Sequence, residues 1–156
     1  MSCAAALRGR TRRDERGSIP VEVARFLRPC AKPGFSARTE SNAHLSDAIL
    51  VLVRDATDPH ATPGTSLTID LATRLGKPLK IVDPGYSARL TAEWIWRDLL
   101  CHRTLALPGH DSFLRGLMIA GPRESKWSGA QTETSRLLRC VGEELLRIAG
   151  PSREVG

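Results

Sequence analysis

Long apolar runs are missing from this sequence. No segment approaches the roughly 18 consecutive apolar residues that a membrane-spanning helix needs, so no membrane partner is expected. Aromatic residues are scarce: three Phe, one Tyr and three Trp in 156 residues leave little material for a base-stacking nucleic-acid surface. Cysteine pairs are absent too. Cys3, Cys30, Cys101 and Cys140 lie far apart with no CxxC spacing, and His44, His60, His102 and His110 complete no zinc pattern. Cys101 and His102 are adjacent, but neighbours on a helix point in different directions. Reduced, structural thiols and no tightly bound metal are the expectation. The Gly-x-Ser-x-Gly and Cys/His arrangements of nucleophilic catalysis are also lacking.

What is present is ordinary for a globular chain: 41% hydrophobic and 26% charged residues. The length suits one domain with a real core. The net charge of +6 is uneven. Residues 1–35 hold eight Lys/Arg against three Asp/Glu, whereas the other 121 residues hold fifteen against fourteen. The body is therefore nearly neutral and the basic character belongs to the N-terminal segment. "MSCAAALRGRTRR" places its apolar patch before its arginines, the reverse of a secretory signal, and a cytoplasmic location is expected. A basic arm can bind nucleic acid by counterion release, but a solvated leader is the favoured reading of 1–35.

Past residue 35 the patterning alternates. "SARTESNAHLSDA" (36–48) reads as a helix with Ser36 as its N-cap, followed by a continuous apolar strand, "AILVLVR" (48–54). "TSLTIDLATRLGKP" follows as a helix, with Leu67, Leu71, Ala72 and Leu75 on one face and Gly76 as the stop. "LKIVD" (79–83) is a second strand, and 87–101 a helix with Leu90, Trp94, Ile95 and Leu99 as its apolar stripe. "HRTLALPGHDSF" (102–113) reads as a loop or insertion, "GLMIAG" (116–121) as a third strand. A last helix spans about 128–148, with Leu137, Leu138, Val141 and Leu145 inward, and 151–156 is a frayed tail. This order predicts one α/β domain over 36–150, a parallel sheet flanked by helices. Ligands of such sheets bind beyond the strands' C-terminal ends. Three segments follow those ends here: "DATDPHATPGTS", "DPGYS" and "GPRES".

In "TPGTSLT" (62–68), Gly64 permits close backbone approach while Thr65 and Ser66 offer hydroxyls at a helix start. Either hydroxyl could equally be a plain N-cap. In "GPRES", Arg123 suits a bidentate phosphate clamp, although a pairing with Glu124 would also satisfy it. Arg38, Thr39, Asn42 and Asp47 form a further polar cluster.

Taken together, "ARTESNAHLSDAILVLV", "TPGTSLTIDLATRLGKPLKIVD" and "LMIAGPRESKWSG" resemble the ordered signatures of the molybdenum carrier family. That family is part of a Rossmann-like group that includes the LOG phosphoribohydrolases. The resemblance implies a Rossmann-like fold and a phosphate-bearing, nucleotide-like ligand, such as molybdenum cofactor or a nucleotide. It assigns binding to Arg38, Thr39 and Asn42, to Gly64, Thr65, Ser66 and Thr68, and to Gly121, Arg123, Glu124 and Ser125. The family's first strand-helix unit, with its Gly-Gly-Gln-Thr-Gly loop, has no counterpart ahead of this chain. Its loss would leave open sheet edges: either the chain is an N-terminally truncated relative, or another strand or subunit fills the space, and a homo-oligomer is expected. "SGAQTETSRLL" (128–138) echoes that loop but lacks its second glycine and opens the last helix.

The expected function is thus binding or carriage of a phosphate-bearing small molecule, without chemistry. A phosphoribohydrolase-like enzyme is the alternative, and a degenerate or sensory nucleotide-binding module another. Hydrolysis is disfavoured because Thr68 stands where the hydrolases' Pro-Gly-Gly-x-Gly-Thr-x-x-Glu signature needs a carboxylate. Asp70 lies about 200° further round the helix.

Overall fold

The computed structural model describes residues 13–14, 17–18, 34–100 and 116–150. Most of the basic N-terminal segment, the 102–113 loop and the 151–156 tail lie outside the described residues, as do Cys3, Cys30, Cys101, His102 and His110. Near the N-terminus, β1 (Arg13–Asp14) and β2 (Gly17–Ser18) form a short antiparallel ladder.

The body is a parallel sheet. β3 (Ala48–Leu52) lies between β4 (Leu79–Val82) and β5 (Leu117–Ala120). Ile49 pairs with Leu79 through to Leu52 with Val82, and Ala48 with Leu117 through to Val51 with Ala120. Every residue of β3 is buried, as a continuous apolar run requires when both faces are covered. The pleat sends Ala48, Leu50 and Leu52 to one face and Ile49, Val51 and Val53 to the other. Each fully buried Leu, Ile or Val contributes about 1.5–3 kcal/mol.

Among the described residues, four helices cover the two faces. α1 (Phe35–Leu45) and α2 (Pro63–Arg74) pack on the Ile49/Val51 face, where Ala43, Ile69, Leu71 and Ala72 are buried. α3 (Ala88–Ile95), which continues as a wider turn through Trp96–Leu100, and α4 (Ala130–Ala149) cover the Leu50/Leu52 face. There Trp94, Ile95, Leu99, Leu137 and Val141 close the core. The crossover from β3 to β4 therefore runs over one face and that from β4 to β5 over the other, a doubly wound Rossmann-like α/β arrangement. Parallel strands bring the ends of β3, β4 and β5 to one rim, as the alternation of elements predicts.

Several boundaries differ from the sequence reading. α1 starts at Phe35 with Gly34 as its N-cap, not Ser36, and ends at Leu45 because Ser46 adopts an extended backbone, its amide making the last helical bond to Asn42. The N-cap of α2 is Thr62 rather than Thr65 or Ser66. Pro63 takes the first helical position, where its missing N–H costs nothing. Leu90, expected inward, is 49% exposed on the first turn of α3.

Gly76 does behave as the expected helix stop. It adopts φ +62°, its amide returns to the Thr73 carbonyl and that of Lys77 to Ala72. These two bonds make a Schellman cap. It aims the Lys77 side chain at the end of α1, where the ammonium donates to the carbonyls of Ala43, His44 and Ser46.

Candidate functional site

α1 runs antiparallel to the strands, so its N-terminus reaches the same rim as the start of α2. Phe35, Arg38, Thr39 and Asn42 fall at i, i+3, i+4 and i+7, one stripe of that helix. This stripe, the first turn of α2 and the end of β5 enclose a cleft of about 480 Å³. Met118, Ile119, Ala120 and Pro122 supply an apolar wall, while Thr62, Pro63, Gly64 and Thr68 come from the α2 side. Arg38, Arg123 and Lys126 bring three positive charges, and none of the described lining residues is Asp or Glu.

The abrupt end of the β5 run at Gly121 has a steric cause. A Cβ there would lie 2.8 Å from the carbonyl oxygen of Leu52, so only glycine lets the turn pass the end of β3 this closely. The next residue but one, Arg123, then stacks its guanidinium 3.8 Å from the centroid of the Phe35 ring. Arg38, one turn along α1, sits 4.9 Å from the same ring.

Gly64 contributes differently. A Cβ there would meet nothing within 4 Å, so its backbone is open on the cleft side. It lies in the first turn of α2, whose amides point out of the helix's positive end. Thr62 caps that end by accepting from the Thr65 amide at 3.3 Å, and the two threonine hydroxyls meet at 2.7 Å. The helix start combines exposed backbone with positive dipole, the ordinary basis of anion sites.

Of the eleven residues singled out from the sequence, Arg38, Thr39, Asn42, Gly64, Thr68, Gly121 and Arg123 line this cleft. Two of their hydroxyls are already donating: Thr39 to Phe35 O at 3.0 Å and the buried Thr68 to Gly64 O at 3.0 Å. The other four residues lie off the lining. Thr65 is buried against Thr62. Ser66 meets His60 Nδ1 at 2.9 Å. Ser125 is exposed beyond the cleft.

Glu124 turns to α4, where its carboxylate accepts from the Gly129 amide at 2.7 Å and the Gln131 amide at 3.0 Å. Gly129 offers α4 no side-chain cap, and Glu124 supplies one from five residues upstream. The N-terminus of α4 thus holds an internal anion, in contrast to that of α2.

The second rim segment, 83–87, does not reach the cleft. Its Pro84 carbonyl accepts from Arg136 at 2.8 Å and its Asp83 carboxylate from the Gly85 amide, which ties it to the α4 side. Asp47 lies at the opposite, N-terminal end of the strands, where it accepts from the Gly116 amide at 2.7 Å just before β5 begins. On the first rim loop, the Thr57 amide and hydroxyl hold the Asp55 carboxyl below its ordinary pKa.

Phe35, Thr62, Pro63 and Lys126 were not singled out from the sequence. For Phe35 a signal existed, since it precedes Arg38, Thr39 and Asn42 by three, four and seven positions. Among the described residues no group of three or more His, Cys, Asp or Glu could hold a metal ion, and no helix is long and apolar enough to cross a membrane.

A doubly wound parallel sheet with a cationic cleft at its C-terminal rim places the chain in the Rossmann-like α/β class. Residues 7–141 match the circularly permutated YpsA SLOG family, and the chain belongs to that family. No curated protein matches it. Among solved structures it is similar to a "putative molybdenum carrier protein" from Syntrophus aciditrophicus SB, at 26% identity and a TM-score of 0.63. The match covers 83% of this chain and 73% of that one. Both findings agree with the resemblance read from the three sequence blocks.

Proposed function

We propose that the chain binds a phosphate-bearing, nucleotide-like small molecule in this cleft and carries it unchanged. The supporting observation is the composition of the lining: Arg38, Arg123 and Lys126 face an apolar wall with no described carboxylate to oppose an anion. The open first turn of α2 adds a positive dipole at the same place. A phosphate at the cationic end and a flat ring over Met118, Ile119 and Pro122 would use both halves of the cleft.

The Syntrophus protein is named a molybdenum carrier, a name compatible with molybdenum cofactor as the cargo here. The residues present fit the phosphate of such a pterin. The described lining offers no Cys, His, Asp or Glu to a metal, so the cargo would be held through its phosphate and ring. Carriage is favoured over glycosidic cleavage because the position of the hydrolases' carboxylate is Thr68, whose hydroxyl donates to its own helix.

Thermal-shift titration with AMP, ribose 5-phosphate, molybdate and a pterin phosphate tests this, since a ligand that binds only the folded state raises Tm by mass action. The expected result is a dose-dependent rise with a phosphorylated ring compound that Arg123→Ala weakens about tenfold, the scale of a charged hydrogen bond. A rise with AMP accompanied by released adenine would overturn carriage in favour of hydrolysis. A cooperative melt that none of the four compounds shifts would remove the ligand assignment.

A further inference from the structure

Phe35 is 54% exposed, one of several large apolar side chains at the surface of the described residues. It opens α1 and stands on the cleft lining. An exposed ring at the mouth of a nucleotide-sized cleft suggests a platform for a ligand's base. The geometry assigns the ring to another use. The Arg123 guanidinium already lies 3.8 Å from its centroid and that of Arg38 4.9 Å from it.

Both distances fall within the range where a cation is attracted by the ring's quadrupole. The planar guanidinium suits such stacking better than an ammonium does. One aromatic side chain thereby joins two cations that are 85 residues apart in sequence, one on α1 and one on the turn after β5. Each contact restricts the rotamers of a long side chain and draws two like charges to one ring. Holding them in place before a ligand arrives lowers the ordering cost of binding.

We infer that Phe35 is a positioning residue, whose ring pre-organises Arg38 and Arg123 as a paired anion clamp. This deepens the reading of the cleft as a phosphate site and rests on it. The consequence is specific. Loss of the ring weakens binding of every anion the two arginines grip, including one with no base to stack.

The test combines a ligand-free readout with two probes. In the unliganded protein, the side-chain resonances of Arg38 and Arg123, assigned with R38K and R123K, should carry ring-current shifts. F35L should abolish those shifts while the melt stays cooperative, and F35Y should keep them. Titrated with inorganic pyrophosphate and with AMP, F35L should lose about fivefold or more in affinity for both, the scale of one or two exposed cation–π contacts. F35Y should bind as the parent does.

Ring-current shifts that survive in F35L, or pyrophosphate affinity that F35L leaves unchanged, would overturn the positioning role. A loss confined to AMP would also overturn it, in favour of base stacking. If the parent shows the shifts yet binds neither probe, the ring–arginine arrangement stands while the clamp role falls with the phosphate reading.

Discussion

The carbonyl oxygen of Leu52 stands 2.8 Å from the point where a Cβ on Gly121 would lie. This contact joins the end of the central strand to the turn that bears Arg123. Because the obstructing atom belongs to the backbone of a fully paired strand, relief requires the turn itself to move. Gly121→Ala should destabilise the fold by about 1–3 kcal/mol, the usual cost of overpacking. It should also lower anion affinity by displacing Arg123. Thermal melts and a pyrophosphate titration measure the two effects, and an unchanged melt would show that the rim yields freely.

Gly64 should behave in the opposite sense. Its added Cβ meets nothing and its φ is not positive, so alanine fits the first turn of α2 without strain. Gly64→Ala should leave stability unchanged or raise it by up to about 1 kcal/mol. The same methyl intrudes on the cleft and should reduce AMP binding. A variant that is at least as stable yet binds worse would separate a ligand role from a folding role; equal binding would place the ligand elsewhere.

Glu124 distinguishes its two readings through helix stability. With its carboxylate on the amides of Gly129 and Gln131, Glu124→Ala should cost about 1–2 kcal/mol, as the loss of a cap and its dipole interaction does. Urea unfolding gives the number. Glu124→Gln should fall between the parent and alanine, and AMP affinity of the folded variants should change little. A large affinity loss with no loss of stability would return Glu124 to the ligand.

Lys77 links the end of α2 to the end of α1 by donating to three carbonyls there. Lys77→Met keeps most of the stem and removes all three bonds. The expected cost is about 1–3 kcal/mol, that of leaving acceptors without a charged donor. Hydrogen exchange should quicken at the amides of α1 more than at those of α4. Uniform quickening would mean that Lys77 supports the whole domain equally.

Much of the fold was legible because the signals were local. The continuous apolar run 48–54 contains the fully buried β3, and Gly76 before Pro78 marks a Schellman stop. Seven of the eleven residues chosen for the site line one cleft. The helix starts were less legible: Thr62 outcompeted Thr65 and Ser66 as N-cap because Pro63 is pre-shaped for the first helical position. Leu90 sits one turn before Trp94, but the buried face of α3 is centred on Thr91, Ala92 and Ile95, which leaves Leu90 on the outer side.

What the sequence determined by itself is therefore the order and type of the described elements from α1 to α4 and the rim on which their strands end. Residue spacing and turn chemistry act between neighbours in the chain, so a linear reading contains them. Only the tertiary structure decided which rim residues share a space. The strand order β4-β3-β5, with crossovers on opposite faces, carries the 83–87 loop toward α4 and sets Arg123 against α1. It also gives Phe35 a second arginine beside Arg38 of its own helix. Each of these pairings follows from packing two layers on one sheet, a condition that no local stretch of the chain specifies.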